Sequence, residues 1–321
     1  MPHLYLLSAL GQRIDRVPAL RRRLWQVEGG ILARLWQSLG QGDPDTVSDR
    51  GRRLGGLVGP AMRKHRHVLL NLATAFPHWP QRQRERVAAA IWGNMGRVLL
   101  EYTCLDRICD PAEGRIRTID LGGLDLVRRS GRPGIFVAPH LANWNVLPVA
   151  ATSVGIPLTV VYRRQSNPAL EHLMTSWRGA LRCGFLEVGE ASRGMVRELR
   201  AGTSIGLLMD QRNDRGVPVP FFGMPAETTP IPARVAVRLG VPLIPARIER
   251  RGGARFVITI HRPVEPASGL EPEAAALELT ARVNALFAGW IAAEPEQWLC
   301  VKRRWPWQRV RALDGRKVRK P

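Results

Sequence analysis

Residues 134–149 read GIFVAPHLANWNVLPV, and His140 is the residue there that can carry a proton at neutral pH. The apolar run GIFVA predicts a buried strand that Pro139 ends. A histidine delivered at the carboxyl end of a strand in an open α/β sheet stands where such sheets bind ligands. A helix predicted to begin near Leu141 or Ala142 would aim free backbone N–H groups at the same spot, favouring an anion or oxyanion. An imidazole so placed could act as a general base on a hydroxyl. The other six histidines lack this setting. His65, His67 and His78 lie in polar, basic or turn contexts, His172 sits in a helical stretch, and His3 and His261 carry no motif.

Nucleophiles and cofactor motifs are weak by comparison. ATSVG around Ser153 approaches a nucleophile elbow, but alanine replaces its first glycine. Pro157 and a strand-like run follow where the elbow needs a helix. Neither a P-loop nor a G-x-G-x-x-G appears, so nucleotide chemistry is not expected. The four cysteines, Cys104, Cys109, Cys183 and Cys300, form no C-x-x-C pair and lie at no zinc-ligand spacing. They read as small apolar residues in a reducing compartment. No metal and no cofactor is expected.

The elements that must position His140 change character along the chain. The first hundred residues read as helical, including LWQVEGGILARLWQSLG after Arg21–Arg23, RRLGGLVGPAMRKHRHVLLNLATAF, and QRQRERVAAAIWGNMGRVLLEYTCL after PHWP. From about residue 115, short apolar runs (GIFVA, PLTVVY, SIGLLMD, VPLIPARI, RFVITI) alternate with helical stretches (LDLVRRS, PALEHLMTSWRGALR, SRGMVRELRAG, IPARVAVRLG). That alternation predicts an α/β fold, a mostly parallel central sheet flanked by helices. EPEAAALELTARVNALFAGWIAA reads as a late amphipathic helix. The expected organisation is an N-terminal helical section at 1–104 packed on the core, an α/β domain at 105–305, and a basic tail at 306–321. No repeat is evident.

With 48 Lys+Arg against 27 Asp+Glu, the chain carries +21. An excess of that size points to an anionic partner: nucleic acid, an anionic membrane surface or an acidic protein. The basic residues are spread over the whole chain without a nucleic-acid module, so nucleic acid is not the expected partner. The start, MPHLYLLSALGQR, lacks the basic region of a secretory signal. Leu141–Tyr162 is uncharged and of membrane-spanning length, but Pro148, Gly155 and Pro157 divide it into a helix, a turn and a buried strand. Peripheral attachment is expected, through residues 24–39 with Trp25 and Trp36, and through the tryptophan-rich 298–307.

PHLANWN resembles the catalytic motif of the lipid A biosynthesis acyltransferases, the lauroyl/myristoyl transferase family within the lysophospholipid acyltransferase group. That motif is a histidine, four residues, then Glu or Asp. NLATAFP and WGNMGRVLLEY are similar to the family's N-terminal blocks, and VYRRQSNP to its second block. GLLMDQRNDRGVPVPFFGMPAETTPIPARVAVRLGVPLIP resembles its longest, and QWLCVKRRW its closing segment. The resemblance spans about residues 65–305. It implies a glycerol-3-phosphate acyltransferase-like fold and transfer of a fatty acyl chain from acyl carrier protein, or acyl-CoA, to a hydroxyl of a membrane glycolipid, a lipid A precursor above all. It implies the cytoplasmic face of the inner membrane; an N-terminal membrane helix is common in the family, but none reads convincingly here, so the expected attachment is peripheral. It also implies His140 as general base and Asn143, Arg163, Arg178 and Gln211 in substrate binding. Gly223, Thr228 and Thr229 would shape a loop, and Arg97 and Glu101, spaced i,i+4, would pair on a helix.

One position departs from the family pattern. The expected acid is Asn145, whose amide oxygen can orient an imidazole but cannot supply charge. In a serine-protease triad, aspartate to asparagine loses about 10⁴-fold. Three readings follow: a slower working base, a carboxylate supplied from elsewhere, or a silent homologue. Asp210, ending the run SIGLLMD, is the alternative carboxylate, since a strand end aims it at the same edge. A phosphatidylinositol-mannoside-type acyltransferase is the alternative within the group, and a basic nucleic-acid-binding protein the alternative outside it.

Overall fold

The structure, a computed structural model, describes residues 18–306. The opening residues and the basic tail beyond Pro306 lie outside the described residues.

The N-terminal part is helical, as its periodicity predicts. It comprises α1 (Pro18–Leu39), α2 (Pro44–Val58), α3 (His65–Ala75), α4 (Gln81–Glu101) and α5 (Leu105–Cys109). Asp43 starts α2: one carboxylate oxygen accepts the N–H groups of Asp45 and Thr46 at 3.0 Å each, and Pro44 occupies the first turn. Val47, Leu72 and Ile91 of these helices belong to the same buried cluster as Ile135, Ile205 and Ile244 of the sheet. One continuous core therefore joins the helical section to the α/β part.

Strands and helices then alternate. They run β1 (Ile116–Asp120), α6 (Gly123–Ser130), β2 (Ile135–Ala138), α7 (Val149–Thr152), β3 (Leu158–Tyr162), α8 (Pro168–Arg178), β4 (Gly184–Glu187), α9 (Ala191–Arg200) and β5 (Ser204–Leu208). A hairpin of β6 (Val217–Phe221) and β7 (Met224–Thr228) intervenes before α10 (Ile231–Leu239), β8 (Leu243–Arg250), β9 (Phe256–Ile260) and α11 (Pro272–Ala293). The seven-stranded sheet has the order β1-β9-β8-β2-β5-β3-β4, parallel at every pairing except β8 with β9. The expected mostly parallel α/β architecture is what forms.

β2 lies at the centre of this sheet, and all four of its residues are buried. A strand covered on both faces needs apolar side chains throughout, which is why IFVA carries no alternation. Its register against β5 pairs Ala138 with Leu208. Two residues beyond that pair, the chain on one side has reached His140 and on the other Asp210.

The helix expected directly after His140 is not there. Ala142 adopts φ 45°, in the left-handed region, where a β-carbon costs about 1–2 kcal/mol. Two contacts hold it: its N–H donates to the Gln297 carbonyl at 3.0 Å, and its own carbonyl accepts from Asn94 Nδ2 at 3.1 Å. The Asn143 side chain then caps a single 3₁₀ turn, Trp144–Val146, and α7 begins only at Val149. An asparagine that bonds its local backbone competes with helix formation, and here it wins.

Candidate active site

His140 and Asp210 meet as the register requires. Nδ1 of His140 lies 2.6 Å from Oδ1 of Asp210, and the same oxygen accepts the His140 backbone N–H at 3.0 Å. The other carboxylate oxygen accepts the indole N–H of Trp298 at 2.9 Å. Asp210 is buried, which by itself would raise its pKa. The His140 charge beside it and the three hydrogen bonds outweigh burial and hold its carboxyl below the ordinary range. An ionised Asp210 accepting from Nδ1 fixes the tautomer that leaves the Nε2 lone pair free.

Nε2 looks outward. His140 is 14% exposed at the side chain, against 1% for Asp210. Gln211 Nε2 approaches that nitrogen at 3.2 Å, and Lys302 Nζ donates to Gln211 Oε1 at 3.1 Å. The lysine can only donate, so it orients the amide with its NH₂ toward the imidazole. Lys302 is exposed, yet its surroundings lower its pKa, through burial first and then the charges of Arg163 and Lys64. Arg163 is exposed just past the end of β3, two strands from β2 across β5. Three strand ends thus bring together an imidazole, its carboxylate partner and a cationic rim.

The loop that carries His140 is fixed from behind. The His140 carbonyl accepts from the Leu299 N–H at 2.8 Å, and Leu141 bridges Trp298. Phe222, at the tip of the β6–β7 hairpin, stacks on Trp298 with ring centroids 6.2 Å apart.

The bacterial lipid A biosynthesis acyltransferase model matches residues 25–306 of this sequence. The chain belongs to that family. It is therefore an O-acyltransferase. A lipid A biosynthesis acyltransferase of Haemophilus influenzae is 23% identical over 258 residues, covering 78% of each chain. A phosphatidylinositol mannoside acyltransferase of Mycolicibacterium smegmatis is 25% identical over 199 residues, 60% of this chain and 62% of that protein. The solved 1-acyl-sn-glycerophosphate acyltransferase of Thermotoga maritima aligns with a TM-score of 0.37 at 17% identity, over 74% of this chain and 99% of that one.

Within this family member, Asn145 stands apart from the imidazole. Its Oδ1 accepts the Tyr102 hydroxyl at 2.6 Å, and its Nδ2 donates to Asn143 Oδ1 at 2.9 Å. Asn143, expected at the substrate, is fully buried and donates to Glu101 Oε2 at 2.9 Å. Both asparagines hold the turn. Arg178, also expected at the substrate, is turned inward: it is buried 5.0 Å from the Tyr162 ring centroid and 3.5 Å from Glu171.

The expected Arg97–Glu101 pair does not form either. Glu101 is bound by Arg250 Nη2 at 3.0 Å and by Ser48 Oγ at 2.6 Å, while Arg97 donates to Ser48 at 2.7 Å. Gly223 and Thr228 do shape structure. Gly223 has φ 73° in the hairpin turn, and Thr228 Oγ1 accepts from Arg304 at 2.6 Å. Ser153 ends the short α7 and follows no strand, so it is no elbow. Trp298 and Lys302 join the His140–Asp210–Gln211 cluster, and motif reading did not single them out as site residues. Their only signal was their place in the closing segment QWLCVKRRW.

Proposed function

We propose that this protein moves a fatty acyl chain from a phosphopantetheine thioester, on acyl carrier protein or coenzyme A, to a hydroxyl of a membrane glycolipid, a lipid A precursor. The observation that carries the reading is the 2.6 Å contact between His140 Nδ1 and Asp210 Oδ1, which leaves Nε2 as the basic ring atom, facing the Gln211 amide.

In this reading, the acceptor hydroxyl takes the place of the Gln211 amide at Nε2 and gives its proton to the imidazole as its oxygen attacks the thioester carbon. Asp210 stabilises the imidazolium so formed. The tetrahedral intermediate collapses, the C–S bond breaks, and the leaving thiolate takes the proton back from Nε2. No acyl-enzyme is needed. Arg163 and Lys302 bind phosphate groups of donor or acceptor, the arginine by its planar fork and the lysine as a point charge. The +21 charge steers an acidic carrier protein and an anionic lipid toward the same molecule.

A carboxylate supplied from Asp210 removes the reason for reading the chain as silent, because the base does not depend on Asn145. Phosphatidylinositol mannoside is the second acceptor to test, since an acyltransferase of that lipid is among the relatives. Mass spectrometry of membrane glycolipids from cells with and without the gene separates the two. Loss of one acyl chain from a lipid A species supports the first reading, and loss from a mannoside supports the second. Unchanged glycolipids contradict both.

A further inference from the structure

Most of the tryptophans that the sequence offered as membrane anchors pack into or against the core, and Trp307 lies outside the described residues. Trp25, Trp298 and Trp305 are buried, and Trp36 packs edge-on against Trp177 at 5.6 Å. Among the described residues no helix is long and apolar enough to cross a membrane. On α1 the exposed apolar residues are instead Val27, Ile31 and Leu35, and a second exposed apolar row, flanked by more cationic side chains, lies on α2.

Leu54, Leu57 and Val58 stand at i, i+3 and i+4 on α2 and form one apolar row. They are 41%, 78% and 56% exposed, and Met62, just past the 3₁₀ turn Gly59–Ala61, is 47% exposed. The other face of α2 is the buried one, carrying Val47, Ser48 and Gly51. Glycines bring that face hard against α4. A β-carbon on Gly51 would stand 2.4 Å from the Gly96 carbonyl oxygen, and one on Gly55 would stand 2.2 Å from that of Trp92. The helix is thus held by its small-residue side, and its apolar row is left over for something outside the fold.

The surroundings of the row are cationic. Arg52 and Arg53 share the single carboxylate of Asp49, and Arg63 and Lys64 follow, all four exposed. An apolar row with a cationic rim matches the boundary between acyl chains and anionic headgroups. The face also connects to the active site. Lys64 leads into α3, whose Asn71 Nδ2 donates to the carbonyls of Cys300 and Lys302 at 2.7 Å each. Lys302 in turn holds Gln211 against His140.

We infer that the face formed by Leu54, Leu57, Val58 and Met62, with its rim of Arg52, Arg53, Arg63 and Lys64, is a docking surface for an anionic lipid bilayer. The inference rests on the reading of a lipid acceptor, because an enzyme that acylates membrane lipid must be held at the membrane. Docking here places Lys64, and through α3 the Lys302 side of the active site, beside the headgroups.

Flotation of the full-length protein with vesicles tests this. With phosphatidylglycerol–phosphatidylethanolamine vesicles, the wild type is expected to partition at least about tenfold better than with pure phosphatidylcholine. The double variant Leu57→Glu/Val58→Glu is expected to lose about tenfold or more of that partition, with an unchanged thermal midpoint because both side chains are exposed. Arg63→Glu/Lys64→Glu should lose the preference for anionic vesicles. Leu126→Glu, at an apolar residue exposed elsewhere, should float like the wild type. Undiminished flotation of the Leu57/Val58 variant overturns the inference, as does a wild type that does not float. If the variant instead loses self-association in sedimentation while still floating, the face is a contact between copies and the inference fails. The variant His140→Gln should float normally while inactive, so failure of docking and failure of the proposed chemistry are read separately.

Discussion

Oδ1 of Asp210 lies 2.6 Å from Nδ1 of His140, although 70 residues separate them in the chain. The parallel pairing of Ala138 with Leu208 brings both to one level at the strand ends. The same carboxylate accepts a backbone N–H and the Trp298 indole, so its orientation is fixed on three sides. An imidazole partnered in this way is set up before substrate arrives, which is what an efficient general base requires.

Asp210→Asn should therefore be far more damaging than its small change in shape suggests. Both carboxylate oxygens accept from N–H donors, and an amide has only one oxygen to offer. If its NH₂ faces His140, the proton moves to Nε2 and the base is lost; if it faces Trp298, two donors collide. A fall in kcat on the order of 10²- to 10⁴-fold is expected, with KM little changed. Steady-state transfer assays check this, and a rate within a few-fold of the wild type would count against Asp210 as the partner.

Asn145→Asp should not raise the rate, although it restores the acidic type seen in the family motif. Its Nδ2 donates to Asn143 Oδ1, and Asn143 cannot turn over without losing its bond to Glu101. A carboxylate at 145 would set acceptor against acceptor, costing about 1–3 kcal/mol of stability. Chemical denaturation and transfer rate should be measured together. A faster and equally stable variant would show that the site lacked a relay charge.

Much of this was legible before the fold. β2, β3, β5, β8 and β9 read as apolar runs because they are the interior strands of a sheet flanked by helices. β1, IRTID, and β4, GFLE, are the two edge strands: charged residues interrupt the first, and only Leu186 of the second is buried. The β6–β7 hairpin carries Pro218, Pro220 and Pro225, which argue against a strand inside a sheet but are tolerated in an isolated two-stranded ribbon. His140 and Asp210 were each visible at strand ends; their contact depended on a register that no local pattern encodes. Trp298 and Lys302 reach the site across 88 and 91 residues for the same reason. The tryptophans misled because alternation with arginine looks the same at a membrane and in a core lined by a buried guanidinium, as where Arg304 lies 4.7 Å over the Phe221 ring centroid.

The pH profile should carry the signature of Lys302. Burial, then the charges of Arg163 and Lys64, lower its pKa. Its positive charge is thus lost at a lower pH than that of an ordinary lysine, and binding of a phosphorylated substrate should weaken early on the alkaline side. KM measured against pH should rise there in the wild type, and the rise should move to higher pH in Lys302→Arg, which keeps its charge. Identical profiles would remove Lys302 from substrate binding.

Thiol reagents should leave the enzyme active. Burial pushes Cys104 and Cys109 up to about 12 and Cys183 up to about 11, and raises Cys300 as well. At neutral pH about one thiol in 10³ or fewer is then ionised. Iodoacetamide at pH 7.5 should modify the native protein slowly and without proportional loss of transfer. Rapid inactivation, or an acylated cysteine in a trapped intermediate, would replace direct attack with a covalent route.

Single-turnover transfer from an acyl carrier protein thioester to a purified glycolipid acceptor, with His140→Gln beside the wild type, tests the central claim most directly. A loss of 10²-fold or more, on the order expected for removing a general base, with the thermal midpoint held, is the predicted result. Equal rates from the two proteins would contradict it.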